Sequence, residues 1–183
     1  MKAILAVFAC VMMGGSAQAA CNDPPNRGVD WHGCDKRQAD LRNADLYEAN
    51  LADADLMDAN LESANLEGAN LEGAKLYGTK MDRAKLRGAN LSRTNMCHVS
   101  LLEATLERAD LQGASLLRAD LRQANLEDAD LSGADLSDSR LNGANLARAN
   151  LSGANLSRAN TRGGLTVMFF GQRCYAAVAT DCR

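Results

Sequence analysis

Aromatic side chains are scarce: three Phe, three Tyr and one Trp in 183 residues. A conventional globular core draws much of its buried area from such rings, so this composition argues for a thin interior filled by aliphatic side chains. Histidine is scarcer still, with only His32 and His98. Cys97 and His98 are adjacent, but a metal centre needs more ligands than one such pair. A nucleophile also needs a base that is itself held in place, and none is evident. No phosphate-cradling glycine loop follows a strand pattern, and no basic patch is interleaved with aromatics. The sequence therefore offers no catalytic, metal or cofactor site, and no nucleic-acid partner is expected. The two prolines stand together at Pro24-Pro25, in an aperiodic stretch from Cys21 to Arg27 that reads as a loop.

No apolar run is long enough to cross a bilayer, which takes about 20 residues. The run Ala3–Met13 follows Lys2 and precedes Ala17-Gln18-Ala19. A positive start, a short apolar core and a small-x-small site form the pattern of a secretory signal over residues 1–19. The expected location is periplasmic or secreted, with no membrane attachment unless Cys21 is lipidated. Gln18-Ala19-Ala20 lacks the aliphatic residue usual three places before a lipidated cysteine. A buried N-terminal helix of a cytosolic protein is the competing reading. Export makes disulfides admissible, and Cys21, Cys34, Cys97, Cys174 and Cys182 remain once Cys10 leaves with the signal. One arrangement pairs Cys21 with Cys34 and Cys174 with Cys182, leaving Cys97; connectivity does not follow from sequence.

What is abundant is a leucine every five residues. From Leu41 to Leu156 there are 24 such positions, and only Met81 and Met96 are not Leu. Two residues before each stands Ala, except at Thr79, Thr94, Val99 and Ser139. A step of five turns an α-helix by about 140°, which scatters the leucines. On a continuous strand an odd step sends successive leucines to opposite faces. A strand-like stub followed by a corner, repeated every five residues, buries them all. Within each stub Ala and Leu share the inner face, and the residue between, usually Asp or Asn, points out. Leu41, Leu61, Met81, Met96, Leu101 and Leu121 are thus core positions. Gly recurs at the second corner position, as at Gly68, Gly73 and Gly78. A type II turn needs positive φ there, so type II turns are expected at the glycines and type I-like turns at many other corners.

Pentads such as Ala44-Asp45-Leu46-Tyr47-Glu48 and Ala59-Asn60-Leu61-Glu62-Ser63 resemble the A(D/N)LXX unit of the pentapeptide repeat family. The resemblance implies an all-β fold, a right-handed quadrilateral β-helix with four pentads per coil. Six to seven coils would form a rod, repeats over 39–163, with a loop and cap at 20–38 and a C-terminal cap at 164–183. Val29 and Trp31 already fall at Ala and Leu positions, and Trp31 reads as a plug over the N-terminal end. Lys36 falls at a Leu position, so its pentad is distorted or its side chain escapes to water. The apolar stretch Leu165–Phe170, with Phe169 and Phe170, either caps the C-terminal end or forms a homodimer contact.

Four pentads per coil stack outward residues twenty apart. One such column is apolar: Met57, Tyr77, Cys97 and Leu117, joined by Leu102 from the adjoining wall. This column is the candidate surface for a protein partner; alternatively a terminal tail lies across it. Charge is uneven as well. Residues 39–73 carry nine acids and one base, and residues 74–93 carry six bases and one acid. Such fields steer charged partners or simply keep a rod soluble. The functional expectation is a non-enzymatic, exported interaction or structural scaffold. The alternative, taken from some family members, is a DNA mimic acting on a type II topoisomerase.

Overall fold

A computed structural model describes residues 21–162; Cys174, Cys182, Phe169 and Phe170, the signal and the C-terminal cap lie outside the described residues. Within them the chain winds as a right-handed quadrilateral β-helix. Parallel bridges join residues twenty apart, from Asp30↔Asn50 to Arg140↔Asn160. At about 4.8 Å per stacked strand, the rod is close to 30 Å long.

Five backbone amides per pentad must find acceptors, since an unanswered buried amide is costly. The pentad Ala59–Ser63 shows how each does. Ala59 N–H closes the preceding corner on Leu56 O at 3.0 Å, and Asn60 N–H reaches back to Ala39 O at 2.9 Å. Leu61 N–H donates forward to Lys80 O at 2.7 Å, and Ser63 N–H to Asp82 O at 2.9 Å. That leaves Glu62 N–H, which donates to Oδ1 of its own Asn60 at 3.0 Å. The same bond recurs at every Asp or Asn in this position from Asp30 to Asn160. Asp and Asn suit this place because their short side chains accept from the backbone two residues on.

The corners correct the expectation of mixed turns. Every second-corner residue from Gly28 to Arg158 has positive φ, glycine or not: Ser63 and Asp58 are at 57°, beside Gly68 at 67°. With the Ala N–H to Leu O bond across each corner, these are type II turns throughout. The left-handed conformation costs a non-glycine residue about 1–2 kcal/mol. In this conformation the second-corner N–H donates along the rod to the next coil, from Gly28 to Asp138.

Trp31, Leu41, Leu61, Met81, Met96, Leu101 and Leu121 all lie inside, none more than 6% exposed. Three exceptions at the Ala position are polar and buried. Thr79 donates to Leu56 O and Thr94 to Leu91 O. Ser139 Oγ has no partner.

The N-terminal end also differs from expectation. Regular corners and bridges begin at Gly28 and Asp30, so much of 20–38 is coil rather than loop. The Lys36 pentad is undistorted: its N–H reaches Asp55 O at 2.7 Å. Its side chain folds over the end of the core rather than escaping to water. Nζ sits 3.7 Å from the Trp31 ring centroid and donates to Cys21 O at 2.6 Å. Desolvation in this position lowers the lysine pKa. Trp31 Nε1 donates to Asp23 O, and a Cys21–Cys34 disulfide ties the lid down. A Cys21 sulfur held in that bond is not free to carry a thioether-linked lipid.

Candidate functional site

Four walls surround one aliphatic interior, so any specific surface must arise from what the walls display. The wall over Leu51, Leu71, Leu91, Leu111 and Leu131 is built to one rule. Asn50, Asn70, Asn90, Asp110, Asp130 and Asn150 stack up it, and each accepts the first-corner amide two residues on. Asn side chains also link coils, as from Asn90 Nδ2 to Asn70 Oδ1 at 3.2 Å. Its first-corner residues are small or polar: Ala52, Glu72, Ser92, Gln112, Ser132 and Ser152.

The other three walls break that rule, the one with Lys80, Ser100 and Arg140 most often; the wall over Leu56, Leu76, Met96, Leu116 and Leu136 is the one that also carries an apolar column. Lys75 and Ser115 replace Asp or Asn, and the amides of Tyr77 and Leu117 find no protein acceptor among the described residues. At its first corner the structure stacks Met57, Tyr77, Cys97 and Leu117, as the twenty-residue register requires. Exposure within the column is unequal. Tyr77, at 44%, is the exposed large apolar side chain among the described residues, while Met57, Cys97 and Leu117 are half-buried. The column ends in Ser137, itself buried.

His98 does not meet a carboxylate in a catalytic arrangement. Its ring tilts against Tyr77, with centroids 5.4 Å apart. Cys97 Sγ lies 3.1 Å from Ser115 Oγ. Among the described residues no three His, Cys, Asp or Glu side chains are grouped to hold a metal, and no helix is long and apolar enough to cross a membrane. Leu102, round the corner, is half-buried. Its pentad carries Ser100 in place of Asp or Asn, and Asp82 of the previous coil supplies the missing acceptor at 3.1 Å. Nothing in the repeat pattern advertises that substitution; the cue is an acid twenty residues before an unserved corner.

The acidic collar and basic belt partly neutralise one another across coils. Lys75 meets Asp55 at 3.4 Å and Arg93 meets Glu72, while Arg83 of the belt meets Glu103, beyond the collar, at 2.9 Å. Further along, Arg148 and Arg158 reach back to Asp128 and Asp138, whose carboxyls their hydrogen bonds hold below the usual range. Asp35 and Asp40 are lowered to about 2 by side-chain hydrogen bonds from Arg37 and Arg42. These pairs are exposed to water, which screens them, so they add little to stability.

A model of pentapeptide repeats matches in eight copies over residues 27–56, 54–93, 89–128 and 129–160. Similar solved structures include HetL, a pentapeptide repeat protein involved in heterocyst differentiation regulation from the cyanobacterium Nostoc sp. strain PCC 7120. It is 32% identical over 74% of this chain and 78% of HetL, with a TM-score of 0.41. QnrB1, a plasmid-mediated fluoroquinolone resistance protein, is 19% identical over 78% of this chain and 79% of its own, with a TM-score of 0.59. That likeness is one of fold alone. A pentapeptide repeat protein from the Arabidopsis thaliana thylakoid lumen is 31% identical over 52% of this chain and 63% of its own, with a TM-score of 0.35. No match was found among curated proteins.

Proposed function

Because the chain belongs to the pentapeptide repeat family, whose members are generally structural or interaction proteins, we propose that it is a non-enzymatic, exported scaffold. In this reading the wall bearing Met57, Tyr77, Cys97 and Leu117 is the surface it offers to another protein. The observation that carries the reading is the exposed Tyr77 ring, stacked in register with Met57, Cys97 and Leu117. Aromatic rings are favoured anchors of protein contacts, and nothing in the interior requires one there. Export rests on the composition of residues 1–19 and on the Cys21–Cys34 pair, which an oxidising compartment preserves.

Two measurements test the proposal. Intact mass of protein recovered from the periplasmic or secreted fraction is expected to lack the signal and to be at least two hydrogens lighter than the fully reduced mature chain, with Cys21 and Cys34 joined in the peptide map. A full-length, reduced protein in the cytoplasm overturns export. Crosslinking pulldown from the same fraction is expected to recover a partner with the wild type and lose it with Tyr77→Glu and Leu117→Glu. Retention of that partner by both variants removes the wall from the account.

The acidic collar over residues 39–73 favours a second reading, a DNA mimic acting on a type II topoisomerase. The basic belt with Lys75, Lys80, Lys85 and Arg87 follows directly on the collar, which weakens this reading. Inhibition of supercoiling by the purified mature protein is the outcome that would favour this second reading.

A further inference from the structure

The wall over Leu41, Leu61, Met81, Leu101, Leu121 and Leu141 changes the sign of its charge along the rod. Each coil shows three outward side chains on it: the second-corner residue before the stub, the stub residue between Ala and Leu, and the first-corner residue after it. Towards the N-terminal end, Asp58 and Glu62 flank Asn60, and Asp40 lies one coil below. Towards the other end, Arg118 and Arg122 flank Asp120, and Arg140 lies one coil above. Asp58, Glu62 and Arg118 enter no ion pair among the described residues. We propose that this wall binds the same wall of a second copy of the chain, with the two rods antiparallel.

A two-fold axis drawn across the wall, midway between the levels of Lys80 and Ser100, reverses the rod and leaves each column facing itself. Asp58 then meets Arg118 of the second copy, Glu62 meets Arg122, and Asp40 meets Arg140. Symmetry repeats each meeting. Gln38 meets Asp138, Arg42 meets Asn142 and Asn60 meets Asp120, each a donor against an acceptor. Near the axis Lys80 meets Ser100, Asp82 meets Leu102 and Gly78 meets His98, so no like charges oppose. Arg42 already holds Asp40, and Arg122 and Arg140 hold Asp120. A guanidinium has five donors and a carboxylate about four acceptor sites, so these pairs leave room for a second partner.

The register is specific, because opposing like charges are costly. Sliding one rod by one coil sets Asp58 on Asp138 and Arg42 on Arg162. Sliding it the other way sets Asp40 on Asp120 and Arg42 on Arg122. At the same antiparallel register every other wall opposes a like pair: Asp30 with Asp130, Asp35 with Asp135, and Glu67 with Glu127. The matched face is about 29 Å by about 13 Å, small for a protein contact. Charge rather than apolar area therefore sets its strength, and salt weakens it. The Met57–Leu117 column lies round the corner, so the contact does not rest on the partner surface proposed above.

Sedimentation equilibrium of the full mature chain tests the contact. The wild type is expected to dimerise reversibly at about 0.01 M salt, where charges act over about 30 Å, and to dissociate at about 1 M, where they act over about 3 Å. Asp58→Arg and Arg118→Asp should each weaken the dimer on the order of tenfold or more, since each sets like charges together. The double variant should recover it, because the pair returns with its signs exchanged; recovery also shows that the single variants failed at the contact and not in folding. A wild type that stays monomeric at low salt, or a double variant that does not recover, overturns the proposal. So does a dimer that Asp58→Arg leaves unchanged, which forms elsewhere, or one that it strengthens, which lies one coil out of register.

Discussion

The Leu51–Leu131 wall and the Leu56–Leu136 wall rest on the same interior, yet they are built differently outside. On the first, every first-corner amide from Ala52 to Ser152 is answered by an Asp or Asn of its own pentad, and the surface is polar. On the second, Lys75 and Ser115 leave that rule, and Tyr77 and Leu117 stand above them. The core tolerates both because stacking and leucine burial do not depend on which residue faces outward. Outward positions can therefore vary without disturbing the stack, and what distinguishes the second wall is its apolar first-corner column.

The largest effect should ignore the difference between walls. Leu111→Ala under the first wall, Leu116→Ala under the second and Leu101→Ala round the corner should each cost about 2–5 kcal/mol through a cavity. Chemical denaturation measures this, and an effect confined to one wall would break the comparison. Next in size is Ser139→Ala, at the corner beneath the apolar column. Removing a buried hydroxyl without a partner is expected to raise stability by about 1–3 kcal/mol; a loss of stability would show that the hydroxyl is answered.

The comparison sharpens with acceptors. Asn90→Ala deprives the Ser92 amide and should cost about 0.5–1.5 kcal/mol, whereas Lys75→Ala removes no acceptor and should cost far less. The smallest effect is one of pH. Asp35 and Asp40 have folded pKa values of about 2, below the value of about 4 expected unfolded. Their contribution is complete above pH of about 4 and is lost as pH falls towards about 2. Arg37→Gln should flatten this acid dependence in denaturation midpoints; an unchanged profile would remove Arg37 as its source.

Much of the fold was legible because a five-residue period fits no ordinary element. Leu41 to Leu156 announced inward positions, and the twenty-residue register gathered Met57, Tyr77, Cys97 and Leu117 before any coordinates. Turn type was not legible. Glycine at Gly68 or Gly78 suggested that positive φ was confined to such sites, but Glu48 and Asp58 adopt it too, because bonds to the next coil outweigh a local preference. Lys36 was misread for a related reason. A charged residue at a core position looked like a defect, yet at the open end of a stack it can cover Trp31 with its stem and find Cys21 O with its ammonium. The outward Asp/Asn position was legible as polar but not as an acceptor, since that role appears only once the corner is closed.

Hydrogen exchange at single first-corner amides tests the contrast between walls most directly. In the wild type, the amides of Ser92 and Ser132 should be protected by Asn90 and Asp130, while those of Tyr77 and Leu117, which have no acceptor among the described residues, should exchange faster. In Asn90→Ala, the Ser92 amide should become as fast as those of Tyr77 and Leu117 while Ser132 stays slow. If all four exchange alike in both proteins, the two walls do not differ in the way described.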